Sequence, residues 1–278
     1  MSLHANWYIS DAAPTTPSKQ ASSSFFFWKT KNPLPVTDID KEWTENALVL
    51  LYEVIGTDYF RSLSTITPDK EYFNYVFKGT EADAEFVLQR LITLLQIDAW
   101  EIDLIFFSNA SNHLSDGTLV TPQEKLKGSW KSSSSEYVDN GLGHKEIWIE
   151  LDVLRNPEGL IATLANELTK YKLLSEYMIE DNDVLLFELA AVVFGFGVFK
   201  GNAYFNFTRW QVGRAQGWQM QKRGHLPEQM IAYAMAWLTH YRQEDIGWKH
   251  YLNKTMRKYF EQCYSYIDKN KDTVKFPV

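Results

Sequence analysis

The chain has 278 residues, of which 45% are apolar and 15% aromatic, enough to bury a large core in one generous domain or two small ones. Its 28 basic and 35 acidic residues leave a net charge of −7 with no basic block to track a phosphate backbone, which argues against a nucleic-acid or anionic-membrane partner. A single cysteine, Cys263, excludes an internal disulfide and a cysteine-based zinc site. It points to a reducing cytoplasm, as does an N-terminus without a basic region followed by an apolar one.

Residues 1 to 24 are rich in Ser, Thr, Ala and Pro and read as a flexible tail; residues 25 to 278 read as one domain. Asp38 or Asp40 can cap a helix that carries Trp43, Ala47, Leu50, Leu51 and Val54 and stops at Gly56. An aromatic-rich segment follows. Thr80-Glu-Ala-Asp83 then has capping-box spacing, with Asp for the preferred Glu or Gln, and opens an amphipathic helix through Phe86, Leu88, Leu91, Ile92 and Leu95.

Ile102 to Phe107 reads as a strand, being short, β-branched and aromatic. Ser108 to Gly143 is polar, with turn signals at Asp116-Gly117 and Asn140-Gly141, and reads as one or two irregular strands and a loop. Lys145 to Asp152 alternates, with Ile147, Ile149 and Leu151 on one side and Trp148 and Glu150 on the other. Asn156-Pro157 ends that strand and launches the helix around which the chain is organised.

In Leu160 to Leu174, Leu160, Ile161, Leu164, Leu168 and Tyr171 fall on one face, while Thr163, Asn166, Glu167 and Lys170 gather on the other. The apolar run Val184 to Phe199 is interrupted by Glu188, Gly195 and Gly197 and falls short of the ~20 residues of a spanning helix, so it reads as a buried helix with a Gly-rich exit. A loop with Trp210 and Trp218 leads to Pro227, in the first turn of a helix from Glu228 to Tyr241. A last helix is expected from about Glu244 to Ile267.

Asn166-Glu167-x-x-Lys170 has the spacing of H-E-x-x-H, in which two histidines one turn apart bind zinc and the glutamate serves as base. With it stand Trp28-Lys and Pro33-Leu-Pro-Val36, Asp181-Asn-Asp183, Phe194-Gly-Phe-Gly-Val-Phe199 with Asn202-Ala203, and Gly224-x-Leu-Pro-Glu-Gln-Met-Ile-Ala-Tyr-Ala-Met-Ala236. In this order the blocks resemble a group of bacterial zincin-like proteins whose central helix reads A-H-E-L-x-H. The resemblance implies an α+β fold, a small, mostly antiparallel sheet packed on the motif helix with further helices around it. It places the general base at Glu167 and the downstream acidic residue at Glu188.

Both histidine positions have changed. A lysine ammonium offers no lone pair, and an asparagine amide is a weak zinc ligand, so neither a metal nor another cofactor is expected. Two arrangements fit: Lys170 fills the vacated cation site beside Glu167 or Glu188 with Asn166 completing the network, or the polar stripe is an ordinary surface with i,i+3 pairing. His144, His225, His240 and His250 lie apart with no H-x-x-x-H spacing. Gly195-x-Gly197 lacks the third glycine and the following acidic residue of a dinucleotide fingerprint. The reading that follows is a pseudopeptidase with a vestigial site at Asn166, Glu167, Lys170 and Glu188, its old cleft either closed by a salt bridge or retained to bind a peptide or partner protein. The alternatives are a hydrolase using a rearranged metal site or Glu167 as base, and a structural or interaction module.

Overall fold

A computed structural model describes residues 34–97, 102–107, 112–113, 119–120, 135–139, 145–179, 183–203 and 226–277. The N-terminal segment, the loop with Trp210 and Trp218, and two of the histidines discussed above, His144 and His225, lie outside them. The described part belongs to the unit Pro33–Val278 and is α+β, dominated by helices.

Helix α1 (Asp38–Ile55) starts at Thr37, whose hydroxyl accepts the Asp40 N–H at 3.2 Å. Asp38 and Asp40 therefore lie inside the first turn, where a carboxylate suits the positive end of the helix, instead of capping it. Gly56, at φ 89°, separates α1 from a short α2 (Thr57–Ser62) that buries Phe60 completely. The expected capping box is present at the start of α3 (Glu81–Leu95), with Leu88, Leu91 and Leu95 in the core.

The sheet corrects one expectation. It has three strands in the order β1 (Ile102–Phe107), β5 (Lys145–Glu150), β4 (Ser135–Asp139). Strand β5 pairs parallel with β1 and antiparallel with β4, so the sheet is mixed and not mostly antiparallel. A small antiparallel pair, β2 (Asn112–His113) with β3 (Leu119–Val120), stands apart from it. The physical reason is connectivity. Strands β4 and β5 are joined by a short link at Asn140-Gly141, which suits a hairpin, whereas the long stretch between β1 and β5 allows a crossover and hence a parallel pair. Ile147 and Ile149 are buried as expected, but Leu151 is 39% exposed because the strand gives way to a 3-10 turn, Leu151–Arg155.

Helix α4 (Pro157–Ser175) follows, with Pro157 in its first turn, and packs between α3, strand β4 and α5 (Val184–Ala203). Asp183 caps α5 by accepting the N–H of Leu185 at 2.9 Å. Helix α5 runs on past the Gly-rich stretch through a wide turn, Val192–Phe196, with Gly195 at φ 100°. It is long and apolar enough to cross a membrane by length and composition, yet 83% of its most apolar stretch is packed inside the fold. Helices α6 (Glu228–Arg242) and α7 (Lys254–Lys269) complete the bundle. The last helix is interrupted where one helix was expected: a 3-10 turn, Gly247–Tyr251, precedes α7, which Asn253 caps.

Candidate functional site

Helix α4 is buried nearly all round, and this decides how its polar stripe is to be read. Thr163 is 8% exposed and Glu167 7%, while Asn166 and Lys170 are half-buried. Four polar residues at that depth do not form an ordinary solvated surface. On the neighbouring helix, Glu188 is 6% exposed, one carboxylate in an otherwise apolar stretch.

The ammonium that reaches both Asn166 and Glu188 comes from Lys200, near the end of α5. Its Nζ donates to Asn166 Oδ1 at 2.9 Å and lies 3.7 Å from Glu188 Oε2, with its side chain 10% exposed. The same Glu188 oxygen accepts the backbone N–H of Leu226 at 2.8 Å, fastening the entry to α6 onto α5. Lys170 Nζ lies over the Phe187 ring, 6.0 Å from its centre. The four residues singled out from the sequence thus lie along two packed helices, α4 and α5, and Lys200 joins them as a fifth.

The sequence contained one signal for Lys200. It is the cation that ends the apolar run, and such a residue is ordinarily read as the point where a helix returns to water. Its inward position depends on the wide turn at Gly195, which helical periodicity does not foresee.

Beside this cluster Asn202 is a structural clamp. It donates to the Tyr251 carbonyl and accepts the Asn253 N–H, both at 2.9 Å, and so holds the start of α7 against the end of α5. Burial pushes the Glu158 carboxyl up, opposed by a hydrogen bond from Asn202. A further buried ammonium on α4, Lys172, serves packing. It pairs with Glu176, donates to the Gln96 carbonyl at 3.3 Å and lies over the rings of Tyr59 and Tyr177. Burial there pushes the Tyr177 hydroxyl up to about 12.

Compared with known protein families, with characterised proteins and with solved structures, the chain finds no match.

The zinc ion implied by the resemblance can be tested against these side chains. Zinc requires lone pairs at ~2.0–2.3 Å from nitrogen, sulfur or oxygen donors. Here Asn166 already accepts a hydrogen bond with its amide oxygen, Lys170 brings an ammonium, and a second ammonium stands against Glu188. The donor set does not fit zinc. Among the described residues no three His, Cys, Asp or Glu side chains are grouped to hold a metal ion elsewhere. His240 places Nε2 3.1 Å from the Tyr264 carbonyl and stacks on the Tyr264 ring, a packing role. Gly195 and Gly197 likewise serve packing: a Cβ on either would strike Ser64 or Met235.

Proposed function

We propose that this chain is a non-catalytic zincin-like protein, a pseudopeptidase of the cytoplasm whose zinc ligands have been replaced and which binds a peptide or a partner protein instead of hydrolysing it. One observation carries the reading: the positions at which the resemblance expects zinc donors hold an amide and an ammonium, in a buried polar stripe packed beside Glu188. Glu167 keeps the place of a general base, but a base acts on water or substrate only if something stabilises the charge that develops, and the amide and ammonium do not supply a metal's polarising power. Cys263 is buried in the core, where desolvation pushes its thiol up and makes it inert, as suits a reducing compartment.

The test is elemental analysis of protein purified without chelator, together with its melting temperature with and without Zn²⁺ and an assay for peptide cleavage. The expected result is sub-stoichiometric metal, a melting temperature indifferent to Zn²⁺ and no cleavage. The variant Asn166→His with Lys170→His and Lys200→Met, which restores two imidazoles one turn apart and removes the ammonium beside them, is expected to gain zinc-dependent stabilisation. Stoichiometric metal in the natural protein, or metal-dependent cleavage, would overturn the proposal in favour of a hydrolase with rearranged ligands.

A further inference from the structure

We infer that the Lys200 ammonium is the site's own cation, tethered to the chain at the position which the resemblance reserves for the metal. The two groups it touches are Asn166, in the place of the motif's first histidine, and Glu188, where the resemblance puts the downstream acid; Lys170 holds the place of the second histidine. Asn166 and Glu188 come from different helices, α4 and α5, and Lys200 Nζ lies 2.9 Å from one and 3.7 Å from the other. Lys200 brings Glu188 a compensating charge: a carboxylate only 6% exposed is costly to keep ionised, and the ammonium at 3.7 Å adds a formal charge to the hydrogen bond from the Leu226 N–H at 2.8 Å. The role is therefore one of charge compensation that holds α4, α5 and the entry to α6 together, as a bound ion would. The inference rests on the zincin-like reading only in calling the position the metal's; the pairing stands on the distances.

Replacing Lys200 by Ala removes the equivalent of n-propylammonium and with it the ammonium that faces Glu188 and Asn166. The melting temperature of Lys200→Ala is expected to fall by about 10 °C. Added n-propylammonium chloride should raise it by about 4 °C at ten times its Kd, relative to choline chloride of equal ionic strength. The natural protein, and a Lys200→Met variant in which a neutral side chain fills the space, should show no such response. If Lys200→Ala does not fold, Glu188→Gln with Lys200→Ala carries the test, because it removes the carboxylate together with the ammonium that faces it, and the double variant is expected to fold. A Lys200→Ala protein that melts like the natural one, a response to n-propylammonium no larger than to choline, or a double variant no more stable than the single one would each overturn the inference. Failure of the functional reading looks different: metal or cleavage in the natural protein, with the Lys200 series unchanged.

Discussion

Gly195 sets the geometry of the polar cluster. Glu188 and Lys200 are twelve positions apart, which in an unbroken helix would separate them by about 120° around the axis. A wide turn that takes up roughly one extra residue brings that separation back to about 20°. The chain has such a turn at Val192–Phe196, and Gly195 permits it with φ 100°. A Cβ there would lie 2.3 Å from the Ser64 carbonyl oxygen, a backbone atom with no freedom to withdraw, since Ile66 is itself bonded to the Gly195 carbonyl at 2.9 Å. Gly195→Ala is therefore expected to cost more than ~3 kcal/mol, from strain and clash together. Gly197 is the control: its φ is helical at −58°, and its Cβ would meet the side chain of Met235, which can move. Gly197→Ala is expected to cost about 1–3 kcal/mol. Urea unfolding of the two variants checks the order, and equal costs would remove the special role of the turn. The same turn explains why the cluster was only half legible in the sequence. Asn166, Glu167 and Lys170 can be found from spacing along a regular helix and Glu188 from what the resemblance implies, whereas Lys200 reaches Asn166 and Glu188 through a break in that regularity.

At the scale of elements, the legible features are the ones whose determinants lie close together in sequence. The start of α3 is such a case: Asp83 accepts the N–H groups of Thr80 at 2.7 Å and Lys78 at 2.9 Å, and the Tyr75 hydroxyl at 2.6 Å. Burial pushes this carboxyl up, but the hydrogen bonds from Tyr75, Thr80 and Lys78 outweigh it and hold it well below the usual range. A carboxyl depressed by folding contributes stability above its unfolded value of ~3.9, and that contribution is lost as pH falls through the folded value. Asp83→Asn should thus be destabilised by a constant amount between about pH 5 and pH 8, with the deficit closing below about pH 4. Denaturant titrations across that range check it, and a deficit that persists in acid would assign the effect to packing. The break before α7 was not legible for the opposite reason. The Asn253 cap is held by Asn202, fifty-one positions earlier, and local periodicity carries no trace of that partner. Helix α4 was legible as a helix, but its amphipathic pattern did not reveal that both faces are buried, because that depends on α5 and the sheet closing over it.

For the whole molecule, the α+β class was an expectation carried by the resemblance, with single helices and strands read from periodicity, but the direction of β1 relative to β5 depends on a long connection whose course is not encoded in the strands. Long-range order among the helices draws on buried polar ties, and Arg242 is one of them. Its guanidinium, with the side chain 2% exposed, donates to the Phe60 carbonyl at 3.1 Å and to the Val193 carbonyl at 2.8 Å, and lies over the Phe60 ring at 5.0 Å. Val193 stands in the wide turn of α5, where the regular ladder of hydrogen bonds is interrupted, so Arg242 of α6 supplies the donor that the turn's own geometry withholds. Burial pulls this guanidinium down to about 10, partly offset by Glu244 beside it. Arg242→Leu should leave both carbonyls and Glu244 without that partner and cost about 3–9 kcal/mol, at ~1–3 kcal/mol for each of these three groups. Arg242→Lys keeps the charge but has no planar fork to span two carbonyls from different elements, and is expected to recover less than half of that loss. Urea unfolding followed by tryptophan fluorescence measures both. If lysine restored full stability, the charge beside Glu244 would be what matters, and the wide turn of α5 would have to be satisfied from within its own helix.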